Sequence, residues 1–211
     1  SEMCIRDRLI NTMTYKRIVA FGCSNTVGEF LPGWTAATLD NEWTTTLSDY
    51  AWPFVLARKM AISRVDNLAW GGLGNHEILH RILNTDFNPD DLVVVAWSYA
   101  GREILFQSDG VVSQTMWGTS GDKFYAAHDI ADLEVKSMEY VHHAELYLKS
   151  LGITYAMAQT ELWNFKTPQW RWYNPEDYIY FNFVDAALDQ QHPGVESHKI
   201  LAEKMYARIV K

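Results

Sequence analysis

Asp91–Trp97 reads DLVVVAW and is the most strand-like segment of this 211-residue chain. Consecutive β-branched residues in an unbroken apolar run suit a strand covered on both faces, as the central strands of parallel sheets are. Parallel neighbours need crossover helices, and the flanking segments supply them. Before it, Asn75–Leu83 has a helical pattern. After it, Asp129–Leu151 forms a long amphipathic helix stopped by Gly152, and Ile153–Gln159 is a further buried strand.

The same alternation continues outward. Arg17–Phe21 (RIVAF) is a short apolar run ending at Gly22, a strand that stops at a tight turn. Trp52–Ile62 brings Phe54, Leu56, Ala57, Met60 and Ala61 round with helical recurrence, with Pro53 tolerated in the first turn. Val65–Ala69 is predicted as the second strand, running into Gly71, Gly72 and Gly74, and Val195–Val210 as a closing helix with Ile200, Leu201, Met205 and Ile209 on one face. Residues 108–128, rich in Gly, Ser, Thr and Asp, read as an inserted loop, and an irregular aromatic stretch runs from Thr160 to about Tyr180. The expected fold is therefore a three-layer α/β/α sandwich on a mostly parallel sheet. It is expected to occupy one domain from Met13 to Lys211, with residues 1–12 a leader outside the fold.

Composition excludes several functions. Lys and Arg total 18 against 26 Asp and Glu, a net charge of −8, so no basic excess exists to displace counterions from a nucleic acid. No apolar run reaches the roughly 18 residues needed to cross a bilayer, and the N-terminus lacks the apolar core of a signal peptide. A soluble, cytoplasmic protein without membrane partners is expected. Cys4 and Cys23 are too few for a disulfide framework. Trp163, Trp170, Trp172 and Tyr173 crowd the aromatic stretch, where such rings either stack on sugar faces or cap the core.

Ligands of parallel α/β sheets bind at the carboxyl ends of the strands. Gly22 to Thr26 and Gly71 to Asn75 follow two of those ends. A serine on a sharp strand-to-helix turn presents its hydroxyl at the rim and has its own N–H available, as a nucleophile with a built-in oxyanion donor requires. Ser24 is so placed, although serine is also a preferred N-cap. Asp189 stands three residues before His192, just ahead of the last helix. That spacing lets the carboxylate accept from one ring N–H and leave the other nitrogen to take a serine proton.

With these residues in view, the chain resembles the GDSL/SGNH hydrolases. FGCSNT at 21–26 is similar to their first block, NLAWGGLGN at 67–75 to the second, and DQQHPGVESHKILA at 189–202 to the last. The resemblance implies a flavodoxin-like sheet, Ser24 as nucleophile, an oxyanion N–H from Gly72, and a triad completed by Asp189 and His192. It departs twice. Cys23 stands where the family usually has Asp, resembling a GCS-type subgroup. In place of the third block's Gly-x-Asn-Asp the chain has Ala96, Trp97, Ser98 and Tyr99, so the Asn amide donor is missing. Ser98 and Asn75 are the candidate replacements, and Arg102 is a candidate for binding a substrate carboxylate, with a surface ion pair as its alternative. The expected function is an ester hydrolase that needs no cofactor and acts through an acyl-enzyme on a small-molecule or glycan ester; the inserted loop and the aromatic stretch point to carbohydrate O-acetyl esters, with a simple lipid or aryl ester as the alternative.

Two other readings compete. His76, Glu77 and His80 spell HExxH, the spacing of two zinc ligands with a Glu base, but no third His follows at the expected spacing and Glu103 is only a guess for a third ligand. The missing Asn also fits a glycan-binding protein that kept the fold and lost catalysis. His142 and His143 point apart on a helix, His198 is expected to pack or hydrogen-bond locally, and His128 has no evident partner.

Overall fold

The computed structural model describes residues 15–39, 42–107, 110–114, 129–161 and 178–211. The leader, Cys4, His128, most of the expected loop at 108–128, and Trp163, Trp170, Trp172 and Tyr173 lie outside the described residues.

The elements are β1 (Arg17–Gly22), α1 (Ser24–Val27), β2 (Thr35–Leu39), β3 (Glu42–Thr46), α2 (Trp52–Lys59), β4 (Arg64–Asn67), α3 (Asn75–Leu83), β5 (Asp91–Trp97), β6 (Glu103–Gln107), β7 (Gly110–Gln114), α4 (Ile130–Ser150), β8 (Thr154–Gln159), β9 (Ile179–Tyr180) and α5 (Val195–Ile209). Five strands form one parallel sheet in the order β4-β1-β5-β8-β9. Counted along the chain, that is the flavodoxin-like order, in which the chain steps from the first strand to one side and then crosses back to build the other, leaving a switch point between β1 and β5. The crevice at that switch point lies beyond the carboxyl ends of β1 and β5, whose last residues pair as Gly22↔Ala96.

Side-chain alternation along the strands sends each set of residues to its own helical layer. Val19, Phe21, Val93, Val95 and Trp97 pack with Ile78, Leu79 and Ile82 of α3 and Met138, Val141, Ala144 and Leu148 of α4. Ile18, Ala20, Leu92, Val94, Ala96 and Ala158 face Trp52, Leu56 and Ala57 of α2 and Leu201, Ala202 and Met205 of α5. All seven residues of β5 are buried, as its composition requires. The opposite, amino end of the sheet is fastened by Arg17, whose guanidinium reaches Asp91 at 2.8 Å and Asp66 at 2.9 Å, joining β1, β5 and β4. Among the described residues no helix is long and apolar enough to cross a membrane.

Several boundaries differ from expectation. α2 stops at Lys59 rather than Ile62, because Ala61 turns left-handed at φ 55. The second sheet strand is Arg64–Asn67, not Val65–Ala69: Asn67 turns its side chain back to Thr26 O (2.9 Å) and accepts from Ala69 N (3.2 Å), which bends the chain away. Two antiparallel hairpins were not foreseen, β2 with β3 and β6 with β7, so part of the expected loop at 108–128 is strand.

Candidate active site

The turn after β1 is dictated by close approach. A Cβ on Gly22 would stand 2.1 Å from Thr26 Oγ1 and 2.8 Å from the Ala96 carbonyl oxygen, so only glycine lets the chain bend here. Cys23 is extended and serves as the N-cap without any side-chain hydrogen bond, its carbonyl accepting from Thr26 N and Val27 N. Ser24 is thus the first helical residue and its hydroxyl is not used as a cap, which removes the competing N-cap reading. It is 3% exposed.

Asp189 and His192 sit at the tip of a short loop closed at its base by an Ala186↔Pro193 bridge, with Ala187 N donating to His192 O at 2.8 Å and Gly194 N to Asp185 O at 3.0 Å. Asp189 Oδ2 lies 2.6 Å from His192 Nδ1, while Oδ1 accepts from the N–H groups of His192 (3.1 Å) and Gln191 (3.2 Å). Burial alone would raise the Asp189 carboxyl, but these hydrogen bonds from His192 and Gln191 outweigh it and hold the group below the usual carboxylate range. Gln190 crosses the tip at φ 60. Behind the loop, Asp185 accepts from Glu196 N (2.9 Å), Ser197 N (2.8 Å) and Ser197 Oγ (2.6 Å), and so caps α5 from a distance.

The second imidazole nitrogen does not hydrogen-bond to Ser24. His192 Nε2 lies 3.8 Å from Glu29 Oε2, and the ring packs on Phe30 with centroids 5.1 Å apart. Glu29 is the residue sequence reasoning missed. Its only cue was an acid directly after Gly28, at the end of the segment that carries the serine. Burial pushes its carboxyl up, against the opposing fields of His192 and Arg102. A Cβ on Gly71 would stand 2.2 Å from Glu29 Oε1, which brings the second block against the same carboxylate. A cleft of about 480 Å³ opens here, lined by Val27, Glu29, Phe30, Trp34, Ala36, Trp70, Gly71 and Gly72.

The other candidates separate. Asn75 is fully engaged: its Nδ2 donates to Ser98 O (3.2 Å) and Ser137 Oγ (2.9 Å), and its Oδ1 accepts from Ser98 N (2.7 Å). Both amide hydrogens are used, so Asn75 supplies no oxyanion donor in this arrangement and instead fixes the backbone of Ser98. The buried Ser98 hydroxyl accepts from Arg102 Nη1 at 3.3 Å, and the Arg102 guanidinium lies over the Tyr99 ring at 5.1 Å. Arg102 is half-buried and makes no ion pair among the described residues.

The HExxH residues lie on α3, where His76 packs on Tyr140 with centroids 5.3 Å apart and Glu77 pairs with Arg81 at 3.2 Å. Among the described residues no group of three His, Cys, Asp or Glu side chains could hold a metal ion, and the Glu103 side chain lies outside the description. His198 is buried, its Nδ1 accepting from Trp52 N at 3.1 Å, a packing and capping role.

No protein-family model and no curated protein sequence matches the chain. Solved structures do. A carbohydrate esterase whose active site displays divergent catalytic and non-catalytic binding functions aligns at 15% identity and TM-score 0.54, over 92% of this chain and 67% of that one. An active-site mutant of a family two carbohydrate esterase from Clostridium thermocellum aligns at 15% identity and TM-score 0.52, over 92% of this chain and 63% of that one. A lipolytic protein of the G-D-S-L family from Desulfitobacterium hafniense aligns at 16% identity and TM-score 0.49, over 93% and 99%. The chain spans about two thirds of the length of the two esterase chains. At these identities the likeness is one of fold.

Proposed function

We propose that this chain is a serine ester hydrolase. The observation that carries the reading is the 2.6 Å pairing of Asp189 with His192 Nδ1, on a loop packed against Phe30, six residues along the chain from Ser24. An imidazole held this way has a fixed tautomer and keeps Nε2 for proton transfer. In the reaction, Ser24 Oγ bonds to the ester carbonyl carbon while its proton passes to His192 Nε2. The C–O ester bond then breaks, the alcohol takes that proton, and water repeats the sequence to release the acid from Ser24.

Charge developing on the carbonyl oxygen is met by the N–H groups of Ser24 and Gly72 and, in place of the missing amide, by the Ser98 hydroxyl. Arg102 donates to the Ser98 oxygen, which directs the Ser98 proton away from Arg102 and leaves it for the substrate. Carbohydrate O-acetyl esters are the proposed substrates, in keeping with an aromatic-walled cleft that is also lined by Gly72.

The test is acetyl-ester hydrolysis together with labelling by a fluorophosphonate, comparing the parent with Ser24→Ala and repeating both with a zinc chelator. Turnover and labelling that vanish in Ser24→Ala and survive chelation are expected. Labelling that persists in Ser24→Ala would overturn the triad, and a parent that neither labels nor turns over any ester would favour a non-catalytic binding protein.

A further inference from the structure

The Glu29 carboxylate has an unusual setting. It is partly desolvated and, among the described residues, accepts no hydrogen bond and has no Lys or Arg within ion-pair distance; His192 Nε2 stands 3.8 Å away, and Arg102 acts on it only from farther off. A carboxylate taken out of water without donors is costly to keep, so a ligand that supplies a donor or a positive charge is favoured there. Around it stand three aromatic side chains, Phe30, Trp34 and Trp70, all lining the same cleft. Phe30 is held between Trp34, centroids 4.7 Å apart, and His192, and so forms a continuous wall with both. Trp70 is 42% exposed at the cleft, with Gly71 and Gly72 next to it. Aromatic faces around a partly desolvated carboxylate are the chemistry that holds an organic cation.

The position within the proposed reaction, on which this inference rests, says which part of the substrate would carry the charge. The departing alcohol takes its proton from His192 Nε2, so its oxygen must lie beside that nitrogen, and Glu29 is 3.8 Å from the same atom. We propose that Glu29, with Phe30, Trp34 and Trp70, is a specificity site for an ammonium group on the alcohol portion of the ester, one or two carbons from the ester oxygen. Esters of amino alcohols, amino sugars included, are the class it would take. Glu29 holds the cation and exchanges no proton with the substrate.

Two acetyl esters of equal shape separate charge from size: that of 2-(trimethylammonio)ethanol and that of 3,3-dimethylbutanol. In the parent, kcat/KM for the ammonium ester is expected to exceed that for the neutral one by roughly tenfold or more, chiefly through KM, and the ratio to fall to near unity in Glu29→Gln. Choline, followed by the fluorescence of the cleft tryptophans, is expected to bind the parent and not Glu29→Gln. Equal kcat/KM for the two esters in the parent would overturn the inference while leaving the hydrolase reading intact. Glu29-dependent choline binding without turnover of either ester would do the reverse. If Glu29→Gln fails to fold by circular dichroism, Trp70→Ala replaces it, since that residue is exposed and outside the core: the ratio should drop severalfold, and a ratio equal to the parent's would overturn the proposal.

Discussion

His192 is flanked by two carboxylates, Asp189 at 2.6 Å from Nδ1 and Glu29 at 3.8 Å from Nε2, so the nitrogen that would serve Ser24 faces an acid in this structure. Ring and serine therefore have to come together when an ester binds. A crystal structure of the Ser24 fluorophosphonate adduct is expected to show Nε2 within hydrogen-bond distance of the adduct oxygens, roughly 3 Å, and farther from Glu29 than 3.8 Å. Nε2 still against Glu29 in the adduct would remove His192 as the base.

Asp189→Asn should leave the loop folded, since an amide oxygen still accepts from the His192 and Gln191 N–H groups. It would not hold the imidazole tautomer. kcat is expected to fall by roughly three to four orders of magnitude with KM little changed, read by steady-state kinetics on an acetyl ester.

Asp185 acts through structure. Its carboxylate meets two N–H groups of the first turn of α5 and the Ser197 hydroxyl, and its carbonyl closes the loop at Gly194. Asp185→Ala is expected to cost about 1–2 kcal/mol in urea unfolding through the lost cap. Because the His192 loop shares this anchor, kcat should fall as well, and a stability loss with unchanged kcat would show the loop to be held by other means.

At the far end of the strands, Asp91 is 1% exposed and fixed by Arg17 and by Asn88 N at 2.7 Å. Burial would raise its carboxyl, but the hydrogen bonds from Arg17 and Asn88 prevail and lower it. Asp91→Ala leaves Arg17 without its main partner and is expected to cost about 3–5 kcal/mol in urea unfolding. A loss under about 1 kcal/mol would show that Asp66 alone satisfies the guanidinium.

His198 makes stability depend on pH. Burial, the largest cause, lowers its pKa from 6.5 to about 3, so the unfolded chain binds a proton that the folded one refuses. Its contribution is complete above 6.5 and is lost progressively as pH falls from there toward about 3, with a slope of up to about 1.4 kcal/mol per pH unit. Urea midpoints of the parent should drop between about pH 7 and about pH 5, and those of His198→Gln less steeply. Parallel profiles would rule out His198 as the source.

The parallel sheet and its helices were legible because unbroken apolar runs such as Leu92–Val95 and helical recurrence at Leu201 and Met205 are one-dimensional signals of burial. The Asp189–His192 pairing was legible because both residues lie on one turn. What was not legible depends on approach in space. Glu29 reaches His192 only because the left-handed Gly28 and Phe30, at φ 78 and 61, curl the chain back over the rim. Asn75 looked like a donor from its place in the motif, yet Ser98 and Ser137, distant in sequence, consume it. Asp185 caps a helix ten residues further on through a loop whose closure the sequence does not announce.

The anchoring of α5 by Asp185 has a consequence for inactivation. The helix packs on one face of the sheet, and such an element can open while the central strands remain formed, since local opening costs less than global unfolding. When its first turn frays, the Asp185 fork is released and the loop bearing Asp189 and His192 loses its base. Heat or mild denaturant would thus silence the protein through a reversible fraying of one helix end, before the sheet melts.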